Sequence, residues 1–273
     1  MTSDPFAAFK NRQREMWASF APTAAFTPPV AAHLVRFAGV APGESVLDVG
    51  TGTGVAALTA ARAGARVRAI DLTPALLEMA KENALLAGTT DVRFDEGDAE
   101  HLPYADASFD VVISQFGHMF APRPDLAVAE MRRVLRPSGR VAFATWPPDT
   151  LIGRTFQFIG RNSPPLPAGV SPPALWGDRT VIAERLARDF DDVTFDRGTM
   201  IIPALSLAHY RAFVERSVGP MEKLVESLAG SPERLDAIRQ EFEAISEPHY
   251  DGNVVSHEYV LTRAAARSSA PAP

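Results

Sequence analysis

The stretch Val46-Leu47-Asp48-Val49-Gly50-Thr51-Gly52-Thr53-Gly54 constrains this chain more than any other part of it. A short apolar run turns through three closely spaced glycines into an alanine-rich segment, Val55 to Ala63, that reads as a helix. Glycines at such a turn let backbone N–H groups approach a ligand at a helix N-terminus, where orphan donors and the helix dipole favour negative charge. A second apolar strand, Val67 to Ile70, ends on Asp71, whose carboxylate is placed to accept from both hydroxyls of a ribose. A site for a nucleoside-bearing cofactor is expected, formed by Gly50, Thr51, Gly52, Thr53, Asp71 and the adjacent Leu72.

Gly52-Thr53-Gly54-Val55-Ala56-Ala57 also satisfies the dinucleotide fingerprint G-x-G-x-x-G/A, with an acid about 20 residues on. Asp48 argues for a different ligand. It stands two residues before the first glycine, where a pyrophosphate would meet a like charge in a partly dry cleft. An ammonium group would be attracted there. S-adenosyl-L-methionine carries an ammonium at one end and a ribose at the other, matching Asp48 and Asp71.

Further along, Gly97-Asp98-Ala99-Glu100-His101-Leu102-Pro103, Ser108 to Ser114 and Arg133-Val134-Leu135-Arg136-Pro137-Ser138-Gly139 follow in order. Together with the glycine loop and Ala69-Ile70-Asp71, these segments resemble the class I S-adenosylmethionine-dependent methyltransferases of type 11/25. That broad group includes the ubiquinone/menaquinone-biosynthesis C-methyltransferases. Only Ser138 departs from the family's R-V-L-x-P-G-G. The resemblance implies that Asp98 and Ala99 contact the adenine, and that Gln115, ending the fourth strand, presents its backbone carbonyl to the methionine amine. It implies no particular acceptor.

Alternation of strands and helices from Val46 to Thr145 predicts a doubly wound α/β fold. With the resemblance, the expectation is a Rossmann-like, seven-stranded, mostly parallel sheet with a helical lid inserted between strands six and seven. Residues 1–40 are expected as an N-terminal helical segment over the cofactor site, and 41–150 as the cofactor-binding core. Residues 151–263 would complete the core and carry the lid, with helices over about 205–247, and 264–273 would be a flexible tail. Thr73 before Pro74 reads as a helix cap. Three helices are marked by Leu207, Tyr210, Val214 and Val218, by Met221, Leu224, Val225 and Leu228, and by Leu235, Ile238, Phe242 and Ile245.

Methyl transfer asks chiefly for near-attack geometry, and for a general base only when the acceptor is a weakly acidic O–H or C–H. His118, in the loop after Gln115, is the candidate base because imidazole titrates near neutrality. His209 and His257 are placed where a substrate could be touched, and Phe116, Met119 and Phe120 suit an apolar acceptor pocket. Trp17 and Phe20 suit a segment that closes over the cofactor.

Composition narrows the classes that remain. The formal net charge of −6 and the lack of any basic run interleaved with aromatics argue against a nucleic-acid partner. Cysteine is absent, which excludes disulfides, thiolate metal sites and a cysteine nucleophile; the histidines lack metal-ligand spacing, so no metal is expected. No apolar run approaches the roughly 18 residues of a membrane helix. A cytoplasmic enzyme acting on a small, partly apolar methyl acceptor, at O, C or N, is the reading these features favour. The sequence leaves its oligomeric state open. An NAD-dependent oxidoreductase on the same glycine loop and a non-catalytic cofactor-binding regulator are the alternatives.

Overall fold

The computed structural model describes residues 4–89 and 91–267. Three helices come first, α1 (Ala7–Trp17), α2 (Ala21–Ala24) and α3 (Pro28–Phe37). Pro22 and the Pro28-Pro29 pair occupy first-turn positions, where a missing N–H costs nothing, so proline here starts α2 and α3 and separates them.

The alternating core then runs β1 (Ser45–Val49), α4 (Val55–Arg62), β2 (Arg66–Asp71), α5 (Pro74–Leu86), β3 (Val92–Glu96), β4 (Phe109–Gln115), α6 (Pro124–Val134) and β5 (Leu135–Thr145). After it come α7 (Leu151–Asn162), α8 (Arg179–Leu186) and β6 (Phe190–Pro203). Helices α9 (Leu207–Ser217), α10 (Gly219–Ser227) and α11 (Pro232–Ser246) precede a two-residue strand, β7 (Tyr250–Asp251), and the long β8 (Val254–Ala266).

The strands form one sheet in the order β3-β2-β1-β4-β5-β8-β6, with β7 appended to β8. Strands β3, β2, β1, β4 and β5 are parallel; β8 runs antiparallel to both β5 and β6. The reversal between β1 and β4 opens the crevice beyond their carboxyl ends where such sheets bind ligands. Strand β4 is central, and Val111 to Ser114 are buried without alternation, as a strand covered on both faces requires. Ser114 donates to the Val49 carbonyl at 2.5 Å and accepts from the His118 N–H at 3.0 Å, tying β4 to β1 and holding the following loop.

The Rossmann-like α/β expectation holds, with the short β7 as an eighth strand. Three details differ. Ala264 to Ala266, expected in the tail, belong to β8 and pair with β5 or β6, because the alanines continue the buried side of that strand. The rest of the expected tail, 268–273, lies outside the described residues. Thr73 stands at the N-cap position of α5 but makes no side-chain cap bond; it serves Asp71 instead. Helices α7 and α8 lie in a region that sequence reading left without helices. Among the described residues no helix is long and apolar enough to cross a membrane.

Candidate functional site

The glycine loop folds against the loop that follows β4. A Cβ on Gly50 would stand 2.7 Å from the Gly117 Cα, so neither loop tolerates a side chain at this contact. Gly52, by contrast, has a φ of +54° and nothing within 4 Å of where a Cβ would be. The loop is held from below by contact and open above, and a ligand can lie directly on its backbone.

Asp71 ends β2 beside this opening. Its Oδ2 accepts from the Gly52 N–H at 2.7 Å and its Oδ1 from the Thr73 N–H at 2.8 Å. A carboxylate has about four acceptor positions, so capacity for two hydroxyls remains. Burial raises the pKa of Asp71, opposed by the bonds from Gly52 and Thr73.

Asp48 lies beneath the loop, fully buried, and accepts from the Thr51 hydroxyl at 2.6 Å through Oδ2. Burial pushes its pKa up to about 7, against the bond from Thr51 and the nearby Ala57 N–H. Its Oδ1 has no partner, and neither has the Oε1 of Gln115, whose amide donates to the Thr27 carbonyl at 3.0 Å. Both residues line one small hollow with Gly50, Thr51, Gly52 and Thr53. Two orphaned buried acceptors around one hollow match a ligand that brings several N–H donors.

At the other end, Asp98 accepts from the Glu100 N–H at 2.9 Å through Oδ1 and from the Lys10 ammonium at 2.6 Å through Oδ2. Lys10, on α1, is buried and also reaches Asp4 at 2.7 Å and Glu100 at 2.6 Å. Burial would lower its pKa, but the three carboxylates outweigh that and hold it above its ordinary value. Arg123 closes the cluster, bonding Glu100 and Asp4. Helix α1 is thereby strapped across this end of the site, and Trp17 and Phe20 line the enclosure.

One chamber continues from Gly50, Asp71, Leu72, Asp98 and Ala99 past Gln115 into an aromatic space under α9. Phe116 forms its turning point. Its φ of +63° is strained for a bulky residue, and the ring is held by stacking on Trp146 at a centroid distance of 3.8 Å. Tyr210, Phe213, Val214, Met200 and His257 form the far wall.

His118 departs from its expected role. It borders the chamber, but its ring packs against Phe143 and Trp176, and neither nitrogen has a partner. Burial, with the nearby Arg185 charge, pushes its pKa down to about 3. A ring so held is neutral at pH 7 and a weak proton acceptor, which disfavours the general-base assignment. His209 accepts from the Leu205 N–H and lies outside the chamber wall. Lys10 and Gln13 are site residues that sequence reading missed, because their partners lie about 90 and 107 positions away.

A family model described as a methyltransferase domain matches residues 47–143. An uncharacterized protein of Mycobacterium tuberculosis, Rv1403c, is 32% identical over 252 residues, covering 91% of this chain and 92% of that one. Among solved structures, a putative methyltransferase from Bacillus halodurans superposes with a TM-score of 0.59 at 20% identity, over 87% of this chain and 98% of that one. A phosphoethanolamine N-methyltransferase 2 from Haemonchus contortus, solved with S-adenosylhomocysteine, gives a TM-score of 0.56 at 18% identity, over 88% of this chain and 52% of that one. The chain belongs to the class I S-adenosylmethionine-dependent methyltransferases, of type 11. Within that family it shares nearly its whole length, α9 to α11 included, with the mycobacterial protein. The family's cofactor, S-adenosyl-L-methionine, fits the open glycine loop and the two orphaned acceptors described above.

Proposed function

We propose that the protein transfers a methyl group to O, C or N of a small, partly apolar molecule bound in the aromatic half of the chamber. The observation that carries this reading is the continuity of the chamber. The cradle at Gly52 and Asp71 opens, past Gln115, directly into a space walled by Phe116, Trp146 and Phe213.

Bound S-adenosyl-L-methionine supplies an electrophilic methyl on a sulfonium. The chain's own residues position and enclose. Asp71 takes the ribose hydroxyls with its spare acceptor positions, with Leu72 beside it. Asp98 and the Ala99 N–H take the adenine edge. Asp48 and Gln115 take the ammonium, and Gly50, Thr51, Gly52 and Thr53 shape the loop beneath it. For Gln115 the unpartnered side-chain Oε1 offers an acceptor in addition to the backbone carbonyl that the family resemblance suggests. The strap of α1 and α2 and the helices α9 to α11 act as a lid that keeps water from the apolar half, a condition for near-attack geometry between two bound partners.

Calorimetric titration with S-adenosylhomocysteine, with NAD(H) as control, tests the donor half. Micromolar binding of S-adenosylhomocysteine alone is expected, followed by methylation of at least one compound in a panel of phenols, quinols and amines. Binding of NAD(H) in its place would return the oxidoreductase alternative. Tight S-adenosylhomocysteine binding with no acceptor turned over would favour the non-catalytic regulator.

A further inference from the structure

We infer that the acceptor is an uncharged, planar, mainly apolar molecule bearing a hydroxyl group, and that Tyr210 and His257 are the pair that recognises that hydroxyl. This rests on the methyl-transfer reading and names the substrate class of the same chamber.

Charge decides the first part. Among the described residues, the charged side chains lining the chamber are Lys10, Asp71 and Asp98, all at the nucleotide end. Lys10 and Asp98 are paired with each other. The aromatic half contains no carboxylate and no cation, so a charged acceptor would lose its hydration without gaining a counter-ion. Its walls are aromatic: Phe116 stacks on Trp146, and Phe213 of α9 lines the same space.

Hydrogen-bond accounting decides the second part. Among the other polar side chains in the wall, Gln13, Thr23, Thr27, Gln115 and Thr155 donate to the main-chain carbonyls of Phe120, Ser217, Ala24, Thr27 and Leu151, while the Trp17 indole N–H and both His118 nitrogens are buried without a partner. Tyr210, from α9, and His257, from β8, bond each other instead, hydroxyl to Nε2 at 2.8 Å, and both are buried. The His257 Nδ1 has no partner.

Either tautomer leaves the pair incomplete. If the tyrosine donates, Nδ1 carries an unused hydrogen and the phenolic oxygen keeps a free lone pair. If the histidine donates from Nε2, the phenolic hydrogen is unused and Nδ1 is an unused acceptor. In both cases one donor and one acceptor are spare in an apolar enclosure. Nδ1 lies across the ring from the tyrosine, so a single hydroxyl meets the phenolic oxygen alone, and it suits that oxygen in either tautomer, donating to its lone pair or accepting its hydrogen. A carboxylate only accepts and an ammonium only donates. Such a pair discriminates against an analogue that lacks the hydroxyl, since burial then leaves polar atoms without partners.

The test uses the full chain saturated with S-adenosylhomocysteine and titrated calorimetrically with 2-naphthol, naphthalene and 2-naphthoate. The expected result is binding of 2-naphthol about tenfold tighter than naphthalene, with 2-naphthoate weakest. Tyr210→Phe should reduce the naphthol preference to about twofold or less while leaving naphthalene and S-adenosylhomocysteine affinities unchanged. The double variant Tyr210→Phe/His257→Leu removes both members, leaves no orphaned partner in the core, and should show the same loss. Equal affinity for naphthol and naphthalene, binding of neither, preference for naphthoate, or an unchanged preference in the folded double variant would each overturn the inference. Failure of the unaltered protein to bind S-adenosylhomocysteine would overturn the cofactor reading beneath it, a result distinguishable at the first titration.

Discussion

Asp48→Asn should make the protein more stable and its cofactor site weaker, and the two effects have one cause. The Asp48 carboxyl is wholly buried, with Oδ1 unpaired, and burial raises its pKa from 3.8 to about 7. Between those values the folded protein holds a proton that the unfolded chain has released. Folding stability from this group therefore falls as pH rises through that window and levels off above about pH 7. At pH 8 the penalty approaches about 4 kcal/mol as an upper bound, and it grows by roughly 2 kcal/mol between pH 5.5 and 8. Asparagine has no charge to desolvate, and its side-chain oxygen can still accept from Thr51. The variant should thus gain stability over the parent, and the gain should widen toward pH 8. Urea unfolding at pH 5.5 and 8 measures it. Affinity should move the other way. A hydrogen bond to a charged partner is worth about 1.5–3 kcal/mol, so S-adenosylhomocysteine should bind roughly ten- to a hundredfold more weakly at pH 8. The parent's affinity should also decline below pH 7, as Asp48 takes up its proton, while the variant's should not. A variant less stable than the parent at pH 8, or equal in affinity, would refute the argument.

Asp71→Ala should lower S-adenosylhomocysteine affinity by at least tenfold, because it removes both spare acceptors and the anchor of the Gly52 N–H; calorimetry reads it. Gly52→Ala should cost only about 1–2 kcal/mol of stability, from the left-handed backbone, yet abolish tight cofactor binding, since its methyl fills the open cradle. Gly117→Ala should do the reverse in order of severity: its Cβ would collide with the Gly50 backbone, and thermal melting should show the loss before any ligand is added. Lys10→Met leaves Asp4, Asp98 and Glu100 facing one another with only Arg123 to compensate. Limited proteolysis should then cut the N-terminal strap faster, and bound S-adenosylhomocysteine should slow the cutting less than in the parent.

The clustering of Asp48, the glycine loop and Asp71 was legible in the sequence, because its determinants are local. Asp48, the glycine loop and Asp71 are fixed by one strand–turn–helix and the strand that follows, so spacing alone brings them together. The sheet order follows from the same alternation. What failed was long-range. Nothing near Lys10 announces that its ammonium is buried among carboxylates from two other segments. His118 has the right position for a base and the wrong surroundings, since Phe143 and Trp176 reach it from β5 and from the loop before α8. Tyr210 reads as one more apolar position on a helix face, and it is one; only the partner on β8 reveals its polar end. A sharper signal lay in β8 itself, where His257 interrupts the inward-facing series Val255, Tyr259 and Leu261.

The contact between Gly50 and Gly117 has a mechanical consequence. One loop carries the cradle proposed for the donor and the other carries Phe116, in the wall proposed for the acceptor, and they bear on each other through backbone alone. Side chains can change rotamer to accommodate a neighbour; two bare backbones cannot. On the proposed function, the spacing between donor and acceptor is therefore machined into the scaffold, with no adjustable part between them. Adapting such a protein to a new acceptor must proceed from the far side of the chamber, through α9 and the end of β8, while the near side stays as it is.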